Sequence, residues 1–153
     1  MEKKINRELL SEQLETLKAA LRVLEESYER VGKVLTKKGV QLTVEERESC
    51  EALTARFARL YDFLFQRVFR TLDQIELQDE GTGLDRLNRM EKRNIIESTK
   101  LWKELRELRN EIAHEYLIEE FDRALKDAHR HTPVLRYAVE KLLHYIQTKG
   151  YLK

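Results

Sequence analysis

Apolar residues recur along this chain in the rhythm of amphipathic helices. Leu10, Leu14, Leu17, Leu21, Leu24, Tyr28, Val31 and Leu35 follow one another at alternating spacings of four and three, which puts them on one stripe of a first long helix. Such a stripe needs a partner. A two-stranded coiled coil would supply one, but the later helices carry wider apolar faces, so an antiparallel bundle with coiled-coil-like packing fits better. Lys37 and Lys38 suit the negative end of this helix, and Gly39 can take the left-handed conformation that closes it. Thr43-Val44-Glu45-Glu46 reads as a capping box, the hydroxyl and the carboxylate each reaching an otherwise unpaired backbone N–H. From there a second helix runs to about Leu77. Its stripe of Leu53, Phe57, Leu60, Tyr61, Leu64, Val68, Leu72 and Ile75 is widened by Phe63, Phe65 and Phe69. A face this wide predicts burial on two sides, by two neighbouring helices or by one helix and another subunit.

Asp79-Glu80-Gly81-Thr82-Gly83 breaks the pattern as a loop, since helical spacing resumes with Leu84, Leu87 and Met90. This third helix is short and ends near Asn94. Ile95 and Ile96 anchor the connection, and Ser98 or Thr99 caps a fourth helix that carries Trp102 and extends to residue 116. Leu101, Leu105, Leu108 and Ile112 form its apolar stripe. From Glu119 to Thr148 the stripe of Phe121, Leu125, Ala128, Leu135, Ala138, Leu142 and Ile146 spans Pro133. Because the stripe resumes roughly in phase, a kink at Pro133 is favoured over a new helix capped by Thr132. Gly150 then releases a short tail. The expectation is an all-α, antiparallel four- to five-helix bundle forming a single domain over residues 1–153.

Composition agrees. One Pro, five Gly and 37% charged residues in 153 describe long helices with solvated outer faces. The net charge of +1 gives no global signature of a nucleic-acid binder, so any such contact would rest on local basic patches. Arg86, Arg89, Lys92, Arg93, Lys100, Lys103 and Arg106 could line an approach for a phosphate backbone, or could pair with the interleaved Glu91, Glu97, Glu104 and Glu107. Cys50 is alone, which excludes an intramolecular disulfide. With no signal pattern and no long apolar run, a cytoplasmic location is expected.

The chemistry concentrates in Arg109-Asn110-Glu111-Ile112-Ala113-His114-Glu115-Tyr116. On a helix, Arg109 and Tyr116 are seven apart and nearly superimposed along the axis, while Asn110 and His114 share the neighbouring strip. Taken singly, each has a plain structural use: a solvated charge, a surface amide, a cation at a helix C-terminus and a core edge. Together, on the polar side of a helix whose other side is core, they suggest a site. An imidazole takes and gives a proton near neutral pH, and a guanidinium stabilises charge building on a phosphoryl group. That pairing suits RNA transesterification without a metal. One His cannot readily be base and acid on opposite sides of one phosphate, so the catalytic reading predicts a homodimer with a shared cleft. His129 and His131 sit about 200° apart on a helix, no metal-ligand spacing occurs, and neither a phosphate-cradling loop nor a nucleophile context is present. No cofactor or metal is expected.

Arg109-Asn110 followed by His114 resembles the Arg-x4-6-His signature of the HEPN superfamily, and the fuller Arg-x4-His-x-Tyr pattern, with Tyr116, resembles its HepT-like toxins. The likeness is strongest from about Gly83 to Ile146; the first 80 residues resemble the family only as two long helices. It implies a HEPN-like bundle, dimerised so that the motif helices face one another across a cleft, acting as a metal-independent endoribonuclease toxin. It implies further a small nucleotidyltransferase antitoxin, encoded alongside, that transfers AMP to Tyr116. Arg109 and His114 would then be catalytic, with Asn110 in support. The aromatic run from Phe57 to Phe69 looks more like the sister group of nucleotidyltransferase substrate-binding proteins, which share the bundle and the partner but need not cut RNA. The alternative is therefore a non-catalytic substrate-binding subunit of a minimal nucleotidyltransferase. In a third reading the chain is a structural helical adaptor.

Overall fold

The computed structural model describes residues 2–37, 41–114 and 118–152. It contains α1 (Glu2–Leu35), α2 (Val44–Phe63), a π-helical turn (Leu64–Val68), α3 (Phe69–Ile75), α4 (Gly83–Lys92), α5 (Thr99–His114) and α6 (Ile118–Lys149), with no strand among the described residues. The all-α expectation is met. The π turn joins α2 to α3 without a break, so the bundle is built from four long rods and the short α4.

Cross-contacts define the directions of the rods. Gly32, near the end of α1, lies against His129 in the first half of α6. At the other end, the Arg7 guanidinium stands 5.4 Å from the Tyr151 ring centroid. Thus α1 and α6 are antiparallel. Trp102 of α5 packs on Phe69, whereas Arg109 reaches back to Asp62, so α5 opposes α2 and α3. The core follows from this weave. Leu10, Leu14, Leu17, Leu24 and Val31 are buried as the stripe predicts, while Leu21, Tyr28 and Leu35 lie at its edge. The wide aromatic face of the second rod is enclosed by α1, α5 and α6 of the same chain. Phe57, Tyr61, Phe65 and Phe69 are all buried. The two-sided burial is met by neighbouring helices, and a second subunit is not required to explain it.

Local signals act as the physics of helix ends requires. The Thr43 hydroxyl accepts from the Glu46 N–H, and the Glu46 carboxylate accepts from the Thr43 N–H, both at 3.1 Å. Lys37 also reaches Glu46, at 2.7 Å, tying the end of α1 to the start of α2. Gly39 falls outside the described residues. Thr82 and Asp85 form a second capping box, which starts α4 one residue before the expected Leu84. Asn94 takes a positive φ of 59° just beyond α4, a conformation Asn tolerates, and the Ser98 hydroxyl accepts from the Leu101 N–H to cap α5. Pro133 lies inside a single helix rather than at the start of a new one. The Thr132 hydroxyl is buried there and donates to the Ala128 carbonyl at 2.8 Å.

Two polar ties reinforce the apolar packing. Arg56 of α2 donates to the Val23 carbonyl and to the Ser27 hydroxyl of α1, at 2.9 and 2.7 Å. His129 of α6 stacks on Tyr28 of α1, with ring centroids 4.2 Å apart and planes 8° from parallel. Cys50 is buried on α2, and that burial pushes its thiol pKa up, consistent with a packing role.

Gly83 permits the closest approach at the start of α4. A Cβ there would stand 2.9 Å from Cζ of Phe65, a buried ring flanked by the guanidinium groups of Arg86 and Arg106 at 5.2 and 5.9 Å. Ala is normally the better helix former, but at the first helical position that advantage is small and the crowded ring decides the sign. Gly83→Ala is expected to cost about 1–3 kcal/mol, read as a lower urea midpoint.

Candidate functional site

The last two turns of α5 carry Arg109, Asn110 and His114. Trp102, Leu105 and Leu108 hold this helix to the core, with Leu101 and Ile112 half-buried at the edges of the stripe. Asn110, Ala113 and His114 are exposed on the outer side, and Arg109 is half-buried beside them. Arg109 and His114 lie five residues apart, so they are separated by roughly 140° around the axis and about 7.5 Å along it. A single helix therefore cannot close both side chains on one atom from the same direction. Tyr116, the expected AMP acceptor, lies outside the described residues.

Arg109 has a partner that the sequence reading did not anticipate. Its Nε and Nη2 donate to the two carboxylate oxygens of Asp62, each at 2.8 Å, in a bidentate pair between α5 and α2. Asp62 holds the guanidinium pKa above its ordinary value. Both side chains remain about one-third exposed, at 32% each. Next to Asp62, Tyr61 is buried against Phe65 and Trp102, and its hydroxyl donates to the Trp102 carbonyl at 3.4 Å. That burial pushes the Tyr61 pKa up to about 12. Asp62 thus projects from a rod whose neighbouring side chain is locked in the core. The only sequence hint was a carboxylate set between the apolar positions of Tyr61 and Phe63.

Three of the basic residues upstream meet acids that the sequence pattern did not point to. Arg93 and Arg89 donate to the carboxylate of Asp73 at 2.6 and 2.9 Å, and Nε of Arg86 stands 3.8 Å from it. Asp73 is fully buried. Arg86 also donates to the Phe65 carbonyl in the π turn at 3.1 Å, and Arg93 pairs with Glu76 at 2.8 Å. These three arginines dock α4 on the α3 end of the second rod. Their ion pairs are with Asp73 and Glu76 rather than with Glu91, Glu97, Glu104 or Glu107. Of the basic run, Lys92, Lys100, Lys103 and Arg106 stay exposed, and Lys100 and Lys103 share their groove with Glu104 and Glu107.

Glu76 completes this network by accepting from Tyr145 and Tyr151 at 2.6 and 2.7 Å. Burial alone would raise its pKa, but the two phenol hydrogen bonds and the Arg93 charge outweigh it, and the net shift is downward from 4.5. A depressed carboxylate contributes stability that is present above its unfolded pKa and is lost as pH falls through the folded one. In Tyr151, burial and the bond to Glu76 push the pKa from 10.0 up to about 12, so its contribution is lost as pH rises across that interval. Glu76→Gln is accordingly expected to flatten the acid limb below pH 4.5, measured as urea midpoint against pH.

Comparison with known proteins gives no match: no family model, curated protein or solved structure is similar to this chain. Among the described residues no group of His, Cys, Asp and Glu is arranged to hold a metal ion, and no helix is long and apolar enough to cross a membrane. α5 thus presents a half-buried guanidinium at Arg109 and an exposed imidazole at His114 on its outer side.

Proposed function

We propose that this chain is a metal-independent endoribonuclease, the toxin of a toxin–antitoxin pair, with a composite site at a cleft between two copies of α5. The observation that carries the reading is the disposition of the Arg-x4-His motif: Arg109 held in a fixed orientation by Asp62, with Asn110 and His114 exposed further round the same helix. A base would activate the ribose 2′-hydroxyl, Arg109 would stabilise the pentacoordinate phosphate, and an acid would protonate the leaving oxygen. The two proton-transfer roles need two imidazoles on opposite sides of the phosphate, which a two-fold dimer supplies. Arg106, Asn110 and Ala113 follow at spacings of four and three on one exposed strip, and the small Ala113 allows a facing helix to come close. Such a dimer would be HEPN-like. A small nucleotidyltransferase would neutralise the toxin by transferring AMP from ATP to the Tyr116 hydroxyl with release of pyrophosphate, adding bulk and negative charge to the motif.

The test is incubation of the purified protein with RNA in the presence of a chelator, followed by intact-mass measurement after co-expression with the partner enzyme. Cleavage, AMP adducts and their disappearance in Tyr116→Phe are the expected results. Absence of cleavage for every RNA tried, together with absence of growth inhibition, would sink the nuclease. The second reading, a non-catalytic substrate-binding subunit of a nucleotidyltransferase, is favoured by one observation: one edge of the Arg109 fork is already engaged by a carboxylate of its own chain, a use that requires no chemistry. It predicts a stable complex with that enzyme and indifference to His114→Ala.

A further inference from the structure

We infer that Asp62 is a positioning residue for Arg109, fixing the guanidinium so that its free edge faces a phosphodiester; the inference rests on the ribonuclease reading of α5. A guanidinium carries five N–H donors in a rigid plane. Asp62 takes the side edge, one oxygen on Nε and the other on Nη2, both at 2.8 Å. Both N–H groups of Nη1 and the second of Nη2 lie outside this pairing. Of these, one N–H of Nη1 and the free one of Nη2 form the end-on edge of the fork, and their spacing matches two phosphoryl oxygens bidentately. An Asp on the side edge and a phosphate on the end edge are therefore compatible, and the first sets the plane presented to the second.

The setting supports positioning over mere adhesion. Asp62 and Arg109 come from different rods, 47 residues apart in sequence, so the pair depends on the assembled bundle. Both groups are one-third exposed, so solvent screens part of their attraction, while the two parallel hydrogen bonds fix the plane of the guanidinium. A long, flexible side chain held in one geometry before substrate arrives needs less ordering when the phosphate binds. Charge alone argues the other way, because a carboxylate beside a phosphate repels it. The sign of the effect on binding therefore separates the two roles.

The experiment measures fluorescence anisotropy of a short labelled RNA with every 2′-hydroxyl methylated, and cleavage of its unmethylated counterpart. Proteins are wild type, Asp62→Asn, Asp62→Glu, Arg109→Ala and the Asp62→Asn/Arg109→Ala double variant. If Asp62 positions Arg109, Asp62→Asn weakens binding about tenfold and lowers kcat about tenfold to a hundredfold, and Asp62→Glu recovers part of both. In the Arg109→Ala background, Asp62→Asn then adds nothing, since its effect passes through the guanidinium. Tighter or unchanged binding with unchanged kcat in Asp62→Asn overturns the proposal, as does a loss that persists without Arg109. Melting temperatures check the fold, and Asp62→Ser carries the same comparison if the Asn variant does not fold. A wild-type protein that neither binds nor cuts removes the ribonuclease reading and this inference with it. One that does both, while Asp62→Asn is indifferent, removes the role of Asp62 alone.

Discussion

Asp73→Ala is expected to lower stability by about 3–5 kcal/mol, the range found when one member of a buried ion pair is removed. The carboxylate is fully buried and stands within 4 Å of guanidinium nitrogens from Arg86, Arg89 and Arg93. Taking it away leaves three guanidinium groups facing one another with only the Glu76 carboxylate to balance Arg93. α4 is anchored chiefly by this cluster and by Leu87 and Met90, so its docking is the first casualty. Urea denaturation reads the loss directly, and the melting temperature should fall by about 10 °C. A change no larger than that of a surface substitution would mean that α4 is held by its apolar contacts alone.

His114→Ala is expected to reduce RNA cleavage about 10²- to 10⁴-fold, the usual contribution of a positioned acid or base, while leaving stability within about 0.5 kcal/mol of wild type. Its exposure makes the separation clean: the imidazole is on the outer side of the last described turn of α5, away from the core made by Trp102, Leu105 and Leu108. Arg109→Ala would also abolish cleavage, but it frees Asp62 and so mixes chemistry with a lost contact. His114 is for that reason the sharper probe. Single-turnover cleavage rates compared with thermal melts decide the matter, and full activity in a folded His114→Ala would turn the function toward the binding-subunit reading.

Much of the bundle was legible from spacing alone. The alternating stripe of α1, the capping box at Thr43 and the in-phase stripe across Pro133 are local patterns, written within a few turns of one helix. What escaped was long-range pairing of charge. Asp73 falls four residues after Phe69 and beside Leu72, inside the apolar arc, and its arginines arrive only after the chain has turned back through residues 76–82. Arg86, Arg89 and Arg93 read as a solvated or phosphate-facing run because spacing does not tell which acid a basic face will meet. A lone carboxylate within an apolar arc, followed by arginines at spacings of three and four, was the usable signal. The candidate site was legible as a motif, but Asp62 was not, since nothing in a helical pattern links residues 47 apart.

The π turn gives the second rod two different facings. Within it the Phe69 N–H bonds to the Leu64 carbonyl, five residues back, so the ladder holds one residue more than an α-helix would. Asp62 and Asp73 are eleven positions apart, a separation that in an unbroken α-helix would aim both carboxylates to nearly the same side. The extra residue swings the later one round by roughly 100°. One acid can then meet the arginine of α5 while the other meets those of α4. A single rod thereby works like a shaft with two offset cams, and shortening that turn by one residue would set both against the same helix.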